Sequence, residues 1–108
     1  MSQQTVKVIS GHILEEETLV SLAELCMSCR APAEQVIRLI DYGVISPHEG
    51  STSRQWRFHQ SAIIRADKAL KLKRDLELNL SGTALVLELL DEIEFLRRQV
   101  KQASTPAI

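Results

Sequence analysis

The chain has 108 residues, 44% of them hydrophobic and 25% charged, an ordinary composition for one globular domain. Its formal net charge of −1 argues against a general nucleic-acid binder, because phosphate contacts need an excess of positive charge. There is no apolar run of membrane-spanning length, and no basic segment followed by an apolar one at the start. With two cysteines, these features predict a cytoplasmic protein. The sequence contains no phosphate loop, HExxH or GxSxG motif, which argues against an enzyme.

The segment before residue 30 predicts an arm followed by a short helix. The arm, 1–17, contains a Val- and Ile-rich candidate edge strand at Thr5–Leu14. Ser21 and Glu24 have the spacing of a capping box, in which the hydroxyl accepts from a backbone amide and the carboxylate accepts from the amide of the cap residue. This pattern predicts a helix that begins at Ser21 and ends near Cys29.

A second helix and a small hairpin are predicted next. Pro32 suits the first position of a helix, where its missing N–H has no intrahelical partner. This helix is expected to run to Tyr42, and Gly43 suits the left-handed residue that ends it. Turn-forming residues followed by alternating large side chains predict a wing-like β-hairpin over 45–58. The apolar positions of the second helix form one inner stripe: Val36, Leu39, Ile40 and Val44.

Two longer helices complete the predicted set. The third helix runs from Ser61 to about Asp75, and alternating apolar and polar residues over Leu76–Leu80 break it. Ser81 is a candidate cap for a fourth helix over Gly82–Gln102.

This order of elements predicts a mainly α fold with a winged helix-turn-helix. The predicted organisation is an N-terminal arm or short strand over 1–17, the winged domain with its small β wing over 18–80, and a long dimerisation helix over 81–103. The tail, 104–108, is expected to fray.

The last helix carries an apolar seam of the kind found in two-stranded coiled coils. Apolar residues alternate three and four positions apart, with Val or Ile at one heptad position and Leu at the other. The pattern predicts a homodimer, and the alternative is an intramolecular hairpin against the third helix. Leu85, Leu87 and Leu90 widen the apolar arc, so the N-terminal half is expected to pack on the domain body. The dimerisation residues are Val86, Leu89, Ile93, Leu96 and Val100.

The second helix carries the wrong charges for reading DNA. In a helix-turn-helix DNA reader, its outward face presents Arg, Lys, Asn or Gln to base edges. Here the outward positions include Glu34, Arg38 and Asp41, with Ile37 among them. An exposed apolar residue with a charged rim is typical of a protein–protein patch. The alternative is that Ile37 is tucked inward and the charges are only solvated.

Charge is also uneven along the chain. Residues 1–50 hold three Lys or Arg against seven Asp or Glu, whereas residues 51–75 hold seven against two. The acidic first half favours a basic partner.

The CxxC pair, Cys26 and Cys29, is predicted to be structural. A zinc site needs four ligands, and the three histidines of the sequence have no ligand spacing. We therefore expect no metal and no cofactor. A redox or metal protein using the two thiols is the third functional class, after an interaction module and a DNA binder. Trp56 and Phe58 are expected to fill the core beneath the wing.

Several strings resemble known proteins. The strings Leu22–Cys26, Val36–Ile45 and Trp56–Phe58 resemble the MerR-type helix-turn-helix. Asp-Leu-Glu-Leu-Asn-Leu at 75–80 and Leu-Leu-Asp-Glu-Ile-Glu at 89–94 are more specific and resemble the CbpM family of chaperone modulators.

The resemblance implies a non-enzymatic inhibitor of CbpA, a DnaJ-like co-chaperone. Proteins of this kind bind the J domain of CbpA, block its stimulation of the DnaK ATPase and reduce its DNA binding. We therefore expect a surface that covers the part of the J domain that DnaK would use. The alternative is a small MerR-like DNA-binding transcription regulator that uses Arg54, Arg57 and the basic third helix. The residues expected to contact the J domain are Glu24, Glu34, Ile37, Arg38 and Asp41.

Overall fold

The computed structural model describes residues 18–104, with side chains to residue 103, and shows the predicted mainly α architecture. The arm, its candidate strand at Thr5–Leu14 and residues 105–108 lie outside the described residues. Within the described part, no helix is long and apolar enough to cross a membrane. The elements in chain order are β1 (Val20–Ser21), α1 (Leu22–Cys29), α2 (Ala33–Asp41), β2 (Arg57–Phe58), α3 (Ser61–Asp75) and α4 (Leu80–Ser104).

The capping box of α1 is confirmed. The backbone N–H of Glu24 donates to Ser21 Oγ at 3.1 Å, and the backbone N–H of Ser21 donates to Glu24 Oε1 at 2.8 Å. The helix ends at Cys29, and the next residue, Arg30, takes a left-handed conformation with φ of 55° and donates its backbone N–H to the carbonyls of Cys26 and Met27. This tight end turns the chain directly into α2.

The start of α2 differs by one residue from the prediction. Pro32 has extended geometry, with ψ of 154°, and therefore caps the helix instead of occupying its first position. Its carbonyl accepts from the N–H groups of Gln35 and Val36. The helix ends at Asp41, and Gly43 has the expected positive φ of 76°.

The hairpin predicted over 45–58 is present but short, and its last strand also pairs with another part of the chain. Phe58 pairs with Val20 at the start of the domain, and only one bridge, between Glu49 and Arg57, closes the wing on itself. The turn expected before the strand is present, with the N–H of Gln55 donating to the Thr52 carbonyl at 2.8 Å, but the strand begins at Arg57 instead of Arg54. The sheet therefore joins the start of α1 to the end of the wing.

One apolar core holds all four helices. Phe58, Leu25 and Leu39 are fully buried in it, and Phe58 meets the half-buried Trp56 edge-to-face with ring centroids 6.2 Å apart. The expected position of Phe58 beneath the wing is thus confirmed. The inner stripe of α2 is also confirmed, with Ile40 only partly covered. The buried core residues are Leu25, Val36, Leu39, Val44, Ile45, Phe58, Ala62, Ala66, Ala69, Leu80 and Leu87.

A turn reverses the chain between α3 and α4. The break predicted over Leu76–Leu80 is confirmed, with Glu77 at φ of 54°. Asn79, not Ser81, caps α4: its Oδ1 accepts from the Gly82 N–H at 2.7 Å, while the Ser81 hydroxyl only donates to the same oxygen. Asn79 lies three residues before Gly82, the spacing at which a cap side chain accepts from a backbone N–H. Ser81 already lies within the first turn.

We predict that Asn79→Ala lowers the free energy of unfolding by about 0.5–2 kcal/mol, because the first turn of α4 loses its cap. Ser81→Ala is the matched control and should cost less, since its hydroxyl bonds only to the Asn79 side chain. Urea denaturation followed by circular dichroism measures both. A larger loss for Ser81→Ala than for Asn79→Ala would contradict the assignment of the cap.

Candidate interaction surfaces

The outward side of α2 brings four of the five expected contact residues onto one face. With ~100° per residue, positions 34, 37, 38 and 41 lie together, opposite the fully buried Val36 and Leu39. We name this set the α2 face. Glu34, Arg38 and Asp41 are exposed on it. The face therefore carries two carboxylates and one guanidinium in water, while the opposite side fixes the helix in the core.

The structure adds two details to the expected contact set. Ile37 is half-buried instead of fully exposed, so it forms a low apolar spot between the charges. Glu24 is exposed, but it lies on α1 and its carboxylate already accepts from the Ser21 amide. Any partner that recruits this carboxylate competes with the capping box.

Tyr42 is a surface residue that the sequence analysis missed. The Arg38 guanidinium lies over its ring at 5.9 Å from the centroid, and the ring is 43% exposed. The signal was the four-residue spacing of a cation and an aromatic ring across the helix end. Because Tyr and Arg are enriched in protein interfaces, Tyr42 extends the α2 face.

The apolar seam of α4 is exposed from Leu89 to Val100. Leu89, Ile93, Leu96 and Val100 are 53%, 44%, 49% and 66% exposed, and Val86 is half-buried. The body contacts the other side of the helix through Leu80, Thr83 and Leu87, which are buried.

The expected packing of the N-terminal half of α4 is only partly correct. Leu87 is buried, but Leu85 is 55% exposed and Leu90 is 37% exposed, so only one of the three leucines lies in the core. The physical reason is the angular spacing, which puts Leu85 on the seam and Leu90 at the edge of the core-facing side. Arg65 holds the helix further along: it donates to the Asp91 carboxylate at 2.7 Å and to the Val44 carbonyl at 2.7 Å.

The wing offers little charge to a nucleic acid. Arg57 is half-buried, and its guanidinium donates to the carbonyls of Trp56 at 2.7 Å and Arg54 at 3.3 Å. Arg54 remains exposed. One of the two arginines of the DNA-binding alternative is thus engaged in holding the wing.

Cys26 and Cys29 are half-buried free thiols beside α3. Burial raises the pKa of Cys29 to about 12, with further contributions from the charge of Asp67 and a hydrogen bond to its side chain. Burial also raises the pKa of Cys26. A raised pKa keeps both thiols protonated at neutral pH, whereas the thiolate is the reactive and metal-binding form. Across residues 18–103, no three His, Cys, Asp or Glu side chains form a group able to hold a metal ion.

The raised pKa of Cys29 predicts a pH dependence of stability. The folded state favours the neutral thiol. The contribution of Cys29 to the free energy of unfolding is therefore complete below pH 9, the ordinary pKa of the thiol, and is lost as the pH rises towards 12. The difference in unfolding free energy between wild type and Cys29→Ala should therefore shrink above pH 9. Denaturant titrations from pH 7 to pH 10.5 measure it, and a constant difference would contradict the prediction.

Removal of both thiols should leave partner binding intact. We expect the Cys26→Ala, Cys29→Ala double variant to lose about 0.5–3 kcal/mol of stability through reduced packing. Stoichiometric zinc in the purified wild-type protein, measured by elemental analysis, would overturn the structural role.

Comparisons with known proteins agree with this architecture. The family model of MerR HTH family regulatory proteins matches residues 20–104. The chaperone modulatory protein CbpM of Coxiella burnetii is 34% identical over 97 residues, which cover 90% of this chain and 91% of that protein. CbpM of Pseudomonas entomophila is 35% identical and CbpM of Pseudomonas putida is 36% identical, each over 80 residues, or 74% of this chain and 78% of the relative. These names describe modulators and regulators rather than enzymes. The chain belongs to the CbpM family of chaperone modulatory proteins, and its fold is the helix-turn-helix of MerR-type regulators.

Proposed function

We propose that the protein binds the J domain of a CbpA-type DnaJ-like co-chaperone and inhibits its co-chaperone and DNA-binding activities. The α2 face covers the J-domain surface that DnaK would use, so the inhibition is competitive. The observation that carries the proposal is the charge of this face: Glu34 and Asp41 are exposed where a DNA reader would present cations. Family membership supports a chaperone as the target.

The α2 face suits a basic protein helix better than a nucleic acid. Two carboxylates on the same face of a helix repel phosphates but attract Lys and Arg. This attraction steers association with a positive surface. Ile37 supplies apolar area at the centre, and Tyr42 and Arg38 supply the side chains that most often anchor interfaces. The face thus combines steering charges with a small desolvated centre.

We also propose that α4 forms a homodimer through its seam. Four of the five seam residues are exposed and the fifth, Val86, is half-buried, so a second copy with the same stripe is complementary to the seam. Two J-domain-binding faces per dimer follow from this arrangement. An exposed apolar stripe of this length would promote aggregation if no partner covered it.

Charge reversal of the α2 face tests the function. The Glu34→Lys, Asp41→Lys variant should bind the cognate J domain more weakly, mainly through a slower association rate, and the loss should shrink as salt rises. Calorimetric titration at low and high salt, with circular dichroism to verify folding, measures the effect. The control is Glu88→Lys with Glu92→Lys, which makes the same charge change at two exposed positions of α4. If the α2 variant binds like wild type, the interface lies elsewhere.

The apolar centre gives a separate prediction. Ile37→Ser should speed dissociation of the J domain, because it removes a desolvated contact at the centre of the interface. Ile64→Ser is the matched control, since Ile64 is 71% exposed on the outward side of α3. Surface plasmon resonance with the J domain immobilised separates the two rates. Equal dissociation rates for both variants would remove Ile37 from the interface.

The dimer is tested by a charge in the seam. Ile93→Asp or Leu96→Asp should yield monomers, because a carboxylate would be buried between two apolar stripes. Gln102→Asp adds the same charge on the other side of α4 and should remain dimeric. Light scattering over a range of concentrations measures the mass. A wild-type protein that stays monomeric at high concentration would contradict the proposal.

A further inference from the structure

A polar groove adjoins the start of the α2 face. It consists of two cavities of about 370 Å³ and 220 Å³ that share Gln35 and Lys73 along their walls. The first also contacts Glu34 and Arg38. We name the two cavities together the basic groove, since four of the side chains that line it are cationic: Arg30, Arg38, Lys73 and Arg74.

The cations of the groove are poorly neutralised by the protein itself. Among the described residues, Arg30 and Lys73 form no ion pair, and the nearest carboxylate to Arg74 is that of its neighbour Asp75 at 3.6 Å. Glu34 is the one carboxylate in the lining. Pro32 provides no side-chain cap for α2, so the positive end of the helix dipole adds to the same region. The groove thus has an excess of positive charge and donors for an anion.

The surroundings of the groove select the kind of anion. Glu34 lies inside the lining and Asp41 lies about two turns further along the α2 face, so a polyanion that ran across both would meet two carboxylates. A single carboxylate flanked by cations fits instead: the carboxylate enters the groove while the neighbouring cations contact the α2 face. This pattern is typical of a mixed-charge protein surface and not of a phosphodiester backbone.

We propose that the basic groove receives an acidic side chain of the protein partner whose basic helix lies on the α2 face. The inference rests on the proposed function and adds a second, oppositely charged contact to it. The basic groove adjoins the first turn of α2, and the carboxylate of Asp41 lies in the last turn of that helix. Contacts of opposite charge at the two ends of α2 fix the direction in which the partner helix lies. A partner bound by the α2 face alone would lack this directional constraint.

The test compares cations inside and outside the groove. Arg30→Glu with Lys73→Glu should weaken J-domain binding by about tenfold at low salt and by less at high salt. Lys68→Glu is the control, since Lys68 is exposed on the outward side of α3, away from the groove. It should stay within about twofold of wild type.

A second variant separates binding from folding. Arg30 has a positive φ of 55°, a conformation that favours glycine. Arg30→Gly should therefore keep or raise the melting temperature while it still weakens binding, which a purely structural role would not produce.

A charge swap identifies the partner residue. Each exposed Asp or Glu of the J domain is changed to Lys and titrated against the Arg30→Glu, Lys73→Glu variant. One of these changes should restore affinity for the variant while it reduces affinity for wild type. Weak binding by the α2-face variant together with wild-type binding by the groove variant would overturn the inference and leave the proposed function intact. A J domain that does not bind wild-type protein would overturn both. Groove variants that lose retention on a DNA duplex but keep the J domain would show that the groove holds phosphate, and would overturn the inference.

Discussion

The burial of Val36 and Leu39 determines what α2 presents to a partner. Both side chains are fully enclosed in the core that also contains Leu25 and Phe58, so the helix has a fixed rotation about its axis. Glu34 and Asp41 can then face only water. A rotation large enough to hide them would expose two apolar side chains, at a cost of about 1.5–3 kcal/mol for each. The acidic character of the surface is thus a consequence of core packing.

The same fold supports different recognition when its outer side chains change. A helix-turn-helix places its second helix where it can enter a groove of DNA, and that geometry is retained here. The exposed side of α2 carries Glu34 and Asp41 where a DNA reader would present cations, and the guanidinium of the wing residue Arg57 donates to carbonyls of its own loop. A chaperone-modulating family on a MerR-type scaffold is consistent with this division between a retained framework and altered surface chemistry.

Local sequence signals predicted the helices well, but they did not predict the pairing between distant parts of the chain. The capping box at Ser21 and Glu24 and the left-handed Gly43 act within one turn, so their spacing is sufficient to identify them. The pairing of Val20 with Phe58 joins two-residue strands far apart in the chain, which leaves no alternating pattern to read.

The surface of α4 shows both the strength and the limit of periodicity. Heptad spacing identified the seam, but it could not show which flank of the apolar arc contacts the body. That choice depends on the buried Leu80, Thr83 and Leu87, which turn Leu85 towards the seam. The cap at Asn79 was missed for a related reason, because Asn79 and Ser81 are both good cap residues and the end of the α3–α4 turn decides between them.

Competition with DnaK is the central claim, and a steady-state ATPase assay tests it most directly. The J domain of the cognate CbpA-type protein stimulates DnaK, and wild-type protein is added in increasing amounts. The account predicts that stimulation falls to the basal DnaK rate, that excess DnaK restores it, and that the Glu34→Lys, Asp41→Lys variant inhibits only at much higher concentration. Full stimulation at concentrations where calorimetry shows the J domain saturated would contradict the account, because the α2 face would then bind a surface that DnaK does not use.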